Sequence, residues 1–172
     1  NIVANNLIGL DSDAGSVAGS HGPGILVRES FNNTIGGTFR ENGNVILGSA
    51  GAGVLVTGNA ATGNKIQRNF IGTDRDYAAG FPNGGGGVVF EGGARDNLLG
   101  GKDFVGIPGT PGFRGLLAGN VIIGNTGWGV SVSGGVGNQI LNNQLIGNST
   151  GPIQLTGGGN RLLAPPEGVF DG

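Results

Sequence analysis

The residues able to do chemistry in this chain are few, and the most regular of them are acidic. Asp11-Ser12-Asp13 and Asp74-Arg75-Asp76 stand 63 residues apart in similar surroundings. An Asp-x-Asp pair on a loop presents the hard carboxylate oxygens that Ca2+ prefers, so Asp11, Asp13, Asp74 and Asp76 are the candidate metal ligands. Two carboxylates fall short of the about six to eight oxygens a calcium ion takes, and the Gly-Gly-x-Gly-x-Asp nonapeptides of calcium-binding β-rolls are absent. The competing expectation is that each Asp shapes its own turn. His21 stands alone between Ser20 and Gly22 and reads as a loop histidine. With no Cys, there is no thiol nucleophile, thiolate metal site or disulfide framework.

Aromatic residues gather where turns are expected. Tyr77 and Phe81 share one long connection, Phe104 and Phe113 share the longest, and Trp128 stands before Val130. Exposed together, Tyr77, Phe81 and Trp128 would make a platform for sugar rings or for a neighbouring protein. The alternative is that they pack as satellite cores on the scaffold beneath them.

What must position these side chains is a short repeated unit. Asn followed two residues later by an aliphatic occurs at Asn1/Val3, Asn6/Ile8, Asn33/Ile35, Asn44/Ile46, Asn64/Ile66, Asn69/Ile71, Asn97/Leu99, Asn120/Ile122, Asn138/Ile140, Asn143/Leu145 and Asn160/Leu162. Between successive pairs lies a second unit of alternating apolar residues: Ile25/Val27, Val54/Val56, Val88/Phe90, Val130/Val132 and Ile153/Leu155. Alternation over so few residues marks strands one rung long, and Gly and Asn permit the bends between them. The three positions recur in one fixed cyclic order. That order predicts a three-faced solenoid of about five to six coils with parallel strands, and the asparagines are expected to stack as ladders at its bends. Extra residues enter only between units, as corner loops, because an insertion within a rung would break pairing above and below. One coil cannot bury its apolar face alone, so the coils must fold as an array.

Composition narrows the alternatives. The 41 Gly follow no Gly-x-y period, which excludes collagen, and they disfavour helices. Strict placement of Val, Ile and Leu excludes a disordered Gly-rich chain. A net charge of -2 with 12% charged residues gives no electrostatic footprint for nucleic acid. No apolar run approaches the about 18 residues of a membrane span, so no membrane insertion is expected. The chain has no Met and its first residue already lies inside a repeat, so the natural protein is expected to continue upstream or to meet another molecule there.

The string Gly63-Asn64-Lys65-Ile66-Gln67-Arg68-Asn69-Phe70-Ile71-Gly72-Thr73-Asp74, then Gly87-Val88-Val89-Phe90, Asn97-Leu98-Leu99-Gly100-Gly101 and Gly119-Asn120-Val121-Ile122, resembles the repeats of bacterial right-handed parallel β-helix proteins of the pectin-lyase-like fold. The resemblance covers residues 1–162, with 163–172 a tail or the start of a further coil. It implies an all-β, right-handed parallel β-helix and a place outside the cell or on a bacterial surface. It decides no activity, since that fold carries lyases, hydrolases, epimerases, adhesins and fibres. Catalytic members of the family would imply clustered Asp with Ca2+ and an Arg base, or grouped Asp acting as acid and base. No position here matches them. The outward positions of the third face read Leu26/Arg28, Leu55/Thr57, Val89/Glu91, Ser131/Ser133 and Gln154/Thr156, without paired carboxylates. The function expected is a non-catalytic structural or adhesive segment that stacks end to end through its uncapped edges. The alternative is a β-helix that binds or degrades polysaccharide along the edge of the long loops.

Overall fold

In the computed structural model the chain is a right-handed parallel β-helix of five coils, each contributing one strand to each of three parallel sheets. The structure describes residues 1–9, 19–77, 80–101, 104–105, 116–158 and 160. The first coil holds β1 (Ile2–Val3), β2 (Leu7–Ile8) and β3 (Ile25–Arg28). The second holds β4 (Thr34–Gly36), β5 (Val45–Ile46) and β6 (Val54–Thr57), and the third β7 (Lys65–Gln67), β8 (Phe70–Ile71) and β9 (Val88–Glu91). In the fourth, β10 (Leu98–Gly100) is followed by an antiparallel pair, β11 (Phe104–Val105) and β12 (Leu116–Leu117), before β13 (Val121–Ile123) and β14 (Trp128–Ser133). The fifth holds β15 (Gln139–Leu141), β16 (Gln144–Ile146) and β17 (Gly151–Thr156).

The register follows from the alternation. Ile35 pairs with Ile66, Ile66 with Leu99 and Leu99 with Ile140, so one column of aliphatics runs down the first sheet. Ile8, Ile46, Ile71, Ile122 and Leu145 form the matching column of the second. Their side chains meet those of the third sheet in one interior cluster. Phe90 fills a valine position between Val56 and Val132 and is fully buried. The chain enters the third sheet through an interior glycine: a Cβ on Gly53 would stand 2.5 Å from Ile71 Cγ2 and 2.9 Å from the Gly87 carbonyl.

Asparagine ladders close the corners. Along the first, Asn1, Asn33, Asn64 and Asn97 each donate from Nδ2 to Oδ1 of the asparagine one coil on, ending at Asn138, over 2.8–2.9 Å. Asn6, Asn44, Asn69, Asn120 and Asn143 repeat this at the next corner. The rung amides add to it: Asn33, Asn64 and Asn97 also donate their backbone N–H to the same Oδ1. Many of the bends before a ladder asparagine use a left-handed residue, and Asn32, Asp96 and Asn142 adopt φ of 54°, 54° and 58° there. Short polar side chains tolerate that conformation, which accounts for the doubled Asn32-Asn33 and Asn142-Asn143.

Candidate functional site

A third ladder was not legible from the Asn-x-aliphatic pattern. At the corner leading into the third sheet, Asn83 donates to Asn125 and Asn125 to Asn148, each over 2.9 Å, and Asn83 Oδ1 accepts from the Ser49 backbone amide. The signal was a polar residue three after the inward aliphatic: Ile46/Ser49, Ile122/Asn125 and Leu145/Asn148. All three corners are therefore sealed by amides, and most of the buried polar side chains are ladder asparagines.

The second sheet borders every one of the long insertions. Residues 37–44 and 101–120 precede second-sheet strands, and residues 72–87 follow one. Correspondingly, the outward side chains of the second sheet are apolar on coils two to four, whereas Leu7, Gln144 and Ile146 on the end coils are exposed. Val45, Leu47 and Phe70 form a second buried cluster, with Phe81 and Val121 packed against it. A sheet covered on both faces reads as continuous apolar runs, here Val45-Ile46-Leu47, Phe70-Ile71 and Val121-Ile122-Ile123, rather than as alternation. The third sheet alternates in burial instead: in Val54-Leu55-Val56 and Val88-Val89-Phe90 the inward residues are buried and the outward ones, though apolar, are half-exposed.

This arrangement distributes the candidate aromatics. Phe81 is half-buried in the second cluster. Tyr77 meets Phe70 edge-on, with ring centroids 6.2 Å apart, and remains 54% exposed. Trp128 begins β14, half-buried, with its ring over Gly151 of the last coil. Tyr77 and Phe81 thus belong to one loop packed around Phe70, whereas Trp128 is held by the stacking of the last two coils.

The same loop carries the second acidic corner. Asp74 Oδ1 accepts from the Asp76 amide at 2.9 Å, closing a turn on itself. Arg75 between them lies 5.6 Å over the Phe70 ring and donates to the Gly43 carbonyl at 2.7 Å and to Asn5 Oδ1 at 3.2 Å. The Asp-Arg-Asp corner is therefore a strap, its arginine binding the loop to the first two coils. Asp11 and Asp13 lie outside the described residues. Among the described residues no three His, Asp or Glu side chains come close enough to hold a metal ion.

On the outside of the third sheet the expected columns are present. Leu26 stands over Leu55 and Leu55 over Val89, while Arg28, Thr57 and Glu91 form the adjacent column. Ser131 and Gln154 continue the first of these, Ser131 Oγ donating to Gln154 Oε1 at 3.1 Å. His21 is exposed in the loop before β3.

Compared with protein-family models, curated proteins and solved structures, the chain finds no match. No helix of the described residues is long and apolar enough to cross a membrane.

Proposed function

We propose that this chain is a segment of a non-catalytic extracellular scaffold, a β-solenoid rod from a surface, adhesive or fibre-forming protein whose corner loops meet partners. The observation that carries this reading is where the polar groups are used. Buried amides run as continuous ladders along three corners, and the ordered Asp-Arg-Asp corner straps a loop to the rod. Such an arrangement spends its polar chemistry on rigidity along the axis. Exposed inward residues on the last coil, Ile153 at 42% and Leu155 at 55%, support stacking of a further coil on that edge, from this chain or another. Electron microscopy of the purified protein at high concentration tests the reading: five coils at about 4.8 Å apiece span only about 24 Å, so fibres longer than one chain are expected, and isolated compact particles alone would refute the stacking.

The second reading is a polysaccharide-binding or polysaccharide-degrading β-helix acting along the loop edge. The exposed ring of Tyr77, held on edge by Phe70, favours it. A glycan array together with a depolymerisation assay separates the two. Binding lost in Tyr77→Ala supports the second reading, and an empty array with no cleavage supports the first.

A further inference from the structure

The outer surface of the third sheet is complementary to itself. Its apolar column runs Leu26, Leu55, Val89 and its polar column runs Arg28, Thr57, Glu91, each with one member on coils one, two and three. Leu26 is 44% exposed and Arg28 is exposed. Leu55, Thr57, Val89 and Glu91 are half-buried. Arg28 and Glu91 lie two rungs apart, about 9.6 Å at the usual strand spacing, too far to pair with each other. The two charges sit symmetrically about the middle rung, and they are opposite in sign.

We infer that a second copy of this chain docks on this surface, antiparallel along the solenoid axis, about a two-fold axis that runs parallel to the strands through β6. That operation reverses the order of coils and keeps each column opposite itself. Leu55 then faces Leu55 of the second copy, Leu26 faces Val89, and Arg28 of each chain faces Glu91 of the other. Thr57 lies on the axis. One surface thereby supplies an apolar stripe and two symmetric ion pairs, the pattern of an isologous interface. Ser131, Ser133, Gln154 and Thr156, on coils four and five, fall beyond the overlap and are polar. Three rungs make a patch smaller than the about 800 Å² per partner of a standard complex, so the pairing is reversible and appears at high concentration. It stands independently of the scaffold reading, and unlike end-to-end stacking it closes at two chains.

Sedimentation equilibrium over a concentration series tests this. The unaltered chain is expected to show a monomer–dimer equilibrium. Arg28→Glu and Glu91→Arg should each weaken it by about tenfold or more, since each reversal sets two like-charge contacts in place of two attractive ones. The double variant should return to within about threefold of the original. A second measurement uses the absence of cysteine: Thr57→Cys should be joined into dimers by a short bis-maleimide, and Ser133→Cys, two rungs off the axis, should not. A strict monomer, an open series of oligomers insensitive to the charge changes, a double variant no better than the singles, or equal cross-linking of both cysteines would each overturn the inference.

Discussion

Replacing Asn69 by alanine removes the middle rung of the second asparagine ladder. Asn69 is fully buried. Its Oδ1 accepts from the Asn44 amide at 3.1 Å and from Asn44 Nδ2 at 2.8 Å. Its Nδ2 donates to the carbonyls of Ile35 and Gln67 and to Asn120 Oδ1, at 3.0, 3.1 and 2.9 Å. Alanine leaves the Asn44 backbone N–H and one Asn44 Nδ2 hydrogen without an acceptor, the other Nδ2 hydrogen keeping the Val3 carbonyl, while Asn120 Oδ1 still accepts from the residue 69 backbone amide. Two stranded buried donors at about 1–3 kcal/mol each give a loss of about 2–6 kcal/mol, a large share of the about 5–15 kcal/mol that holds a domain folded. Asn6→Ala is the control. Asn6 is exposed on the first coil and its Nδ2 donates to Asn44 Oδ1 and to the Ala4 carbonyl; Asn44 Oδ1 keeps its bond from the Asn6 backbone amide. Its truncation should cost about 1 kcal/mol or less.

Asn69→Asp separates hydrogen bonding from shape. The carboxylate keeps the acceptor facing Asn44 but turns a second oxygen toward Asn120 Oδ1 and the Ile35 carbonyl. Burial and these acceptors raise its folded pKa above the unfolded value of about 3.9. Relative to Asn69, the variant should therefore be most stable below about pH 4 and lose stability as pH rises through the raised folded value. Urea unfolding gives the overall loss, and amide hydrogen exchange shows whether it centres on coils two to four, since an array need not unfold as one unit. Equal losses in Asn69→Ala and Asn6→Ala, or a pH-independent Asn69→Asp, would refute the reasoning.

Four further outcomes are expected. Gly53→Ala should cost about 1–3 kcal/mol or more by overpacking against Ile71 and the Gly87 carbonyl, whereas Gly80→Ala, with open space around it, should be neutral in the same urea titration. Phe90→Ala should lose about 3–5 kcal/mol by opening a cavity between Val56 and Val132. Arg75→Ala should cost about 1–2 kcal/mol through the lost contacts to Phe70 and Gly43, and chymotrypsin should then cut faster at Tyr77. Thermal melts in millimolar Ca2+ and in EGTA should give the same midpoint if Asp74 only shapes its turn; a rise in Ca2+ that Asp76→Asn abolishes would instead assign an ion to this corner.

Much of the tube was legible in the sequence because its constraints are local and repeat. The Asn-x-aliphatic unit places Ile35, Ile66, Leu99 and Ile140 in one column by spacing alone, since parallel stacking leaves each rung only one register that keeps its aliphatic inside. Two features escaped that logic. The third ladder joins Asn83, Asn125 and Asn148, each five residues before the first inward aliphatic of the third sheet (Val88, Val130 and Ile153), a spacing that the Asn-x-aliphatic unit does not contain. The second cluster depends on which way a corner loop folds, and nothing in Tyr77 or Phe81 specifies that locally.

The sequence by itself determined the number of faces, the cyclic order of the strands and the inward side of each, because period-two alternation and bend residues act within a single rung. Tertiary structure alone decided that the middle coils of the second sheet are covered on their outer surface, that Arg75 straps its loop to Phe70 and Gly43, and that Trp128 lies over Gly151 of the last coil. Those are contacts between segments far apart along the chain, and a long loop's landing place is set by the surface it meets rather than by its own residues.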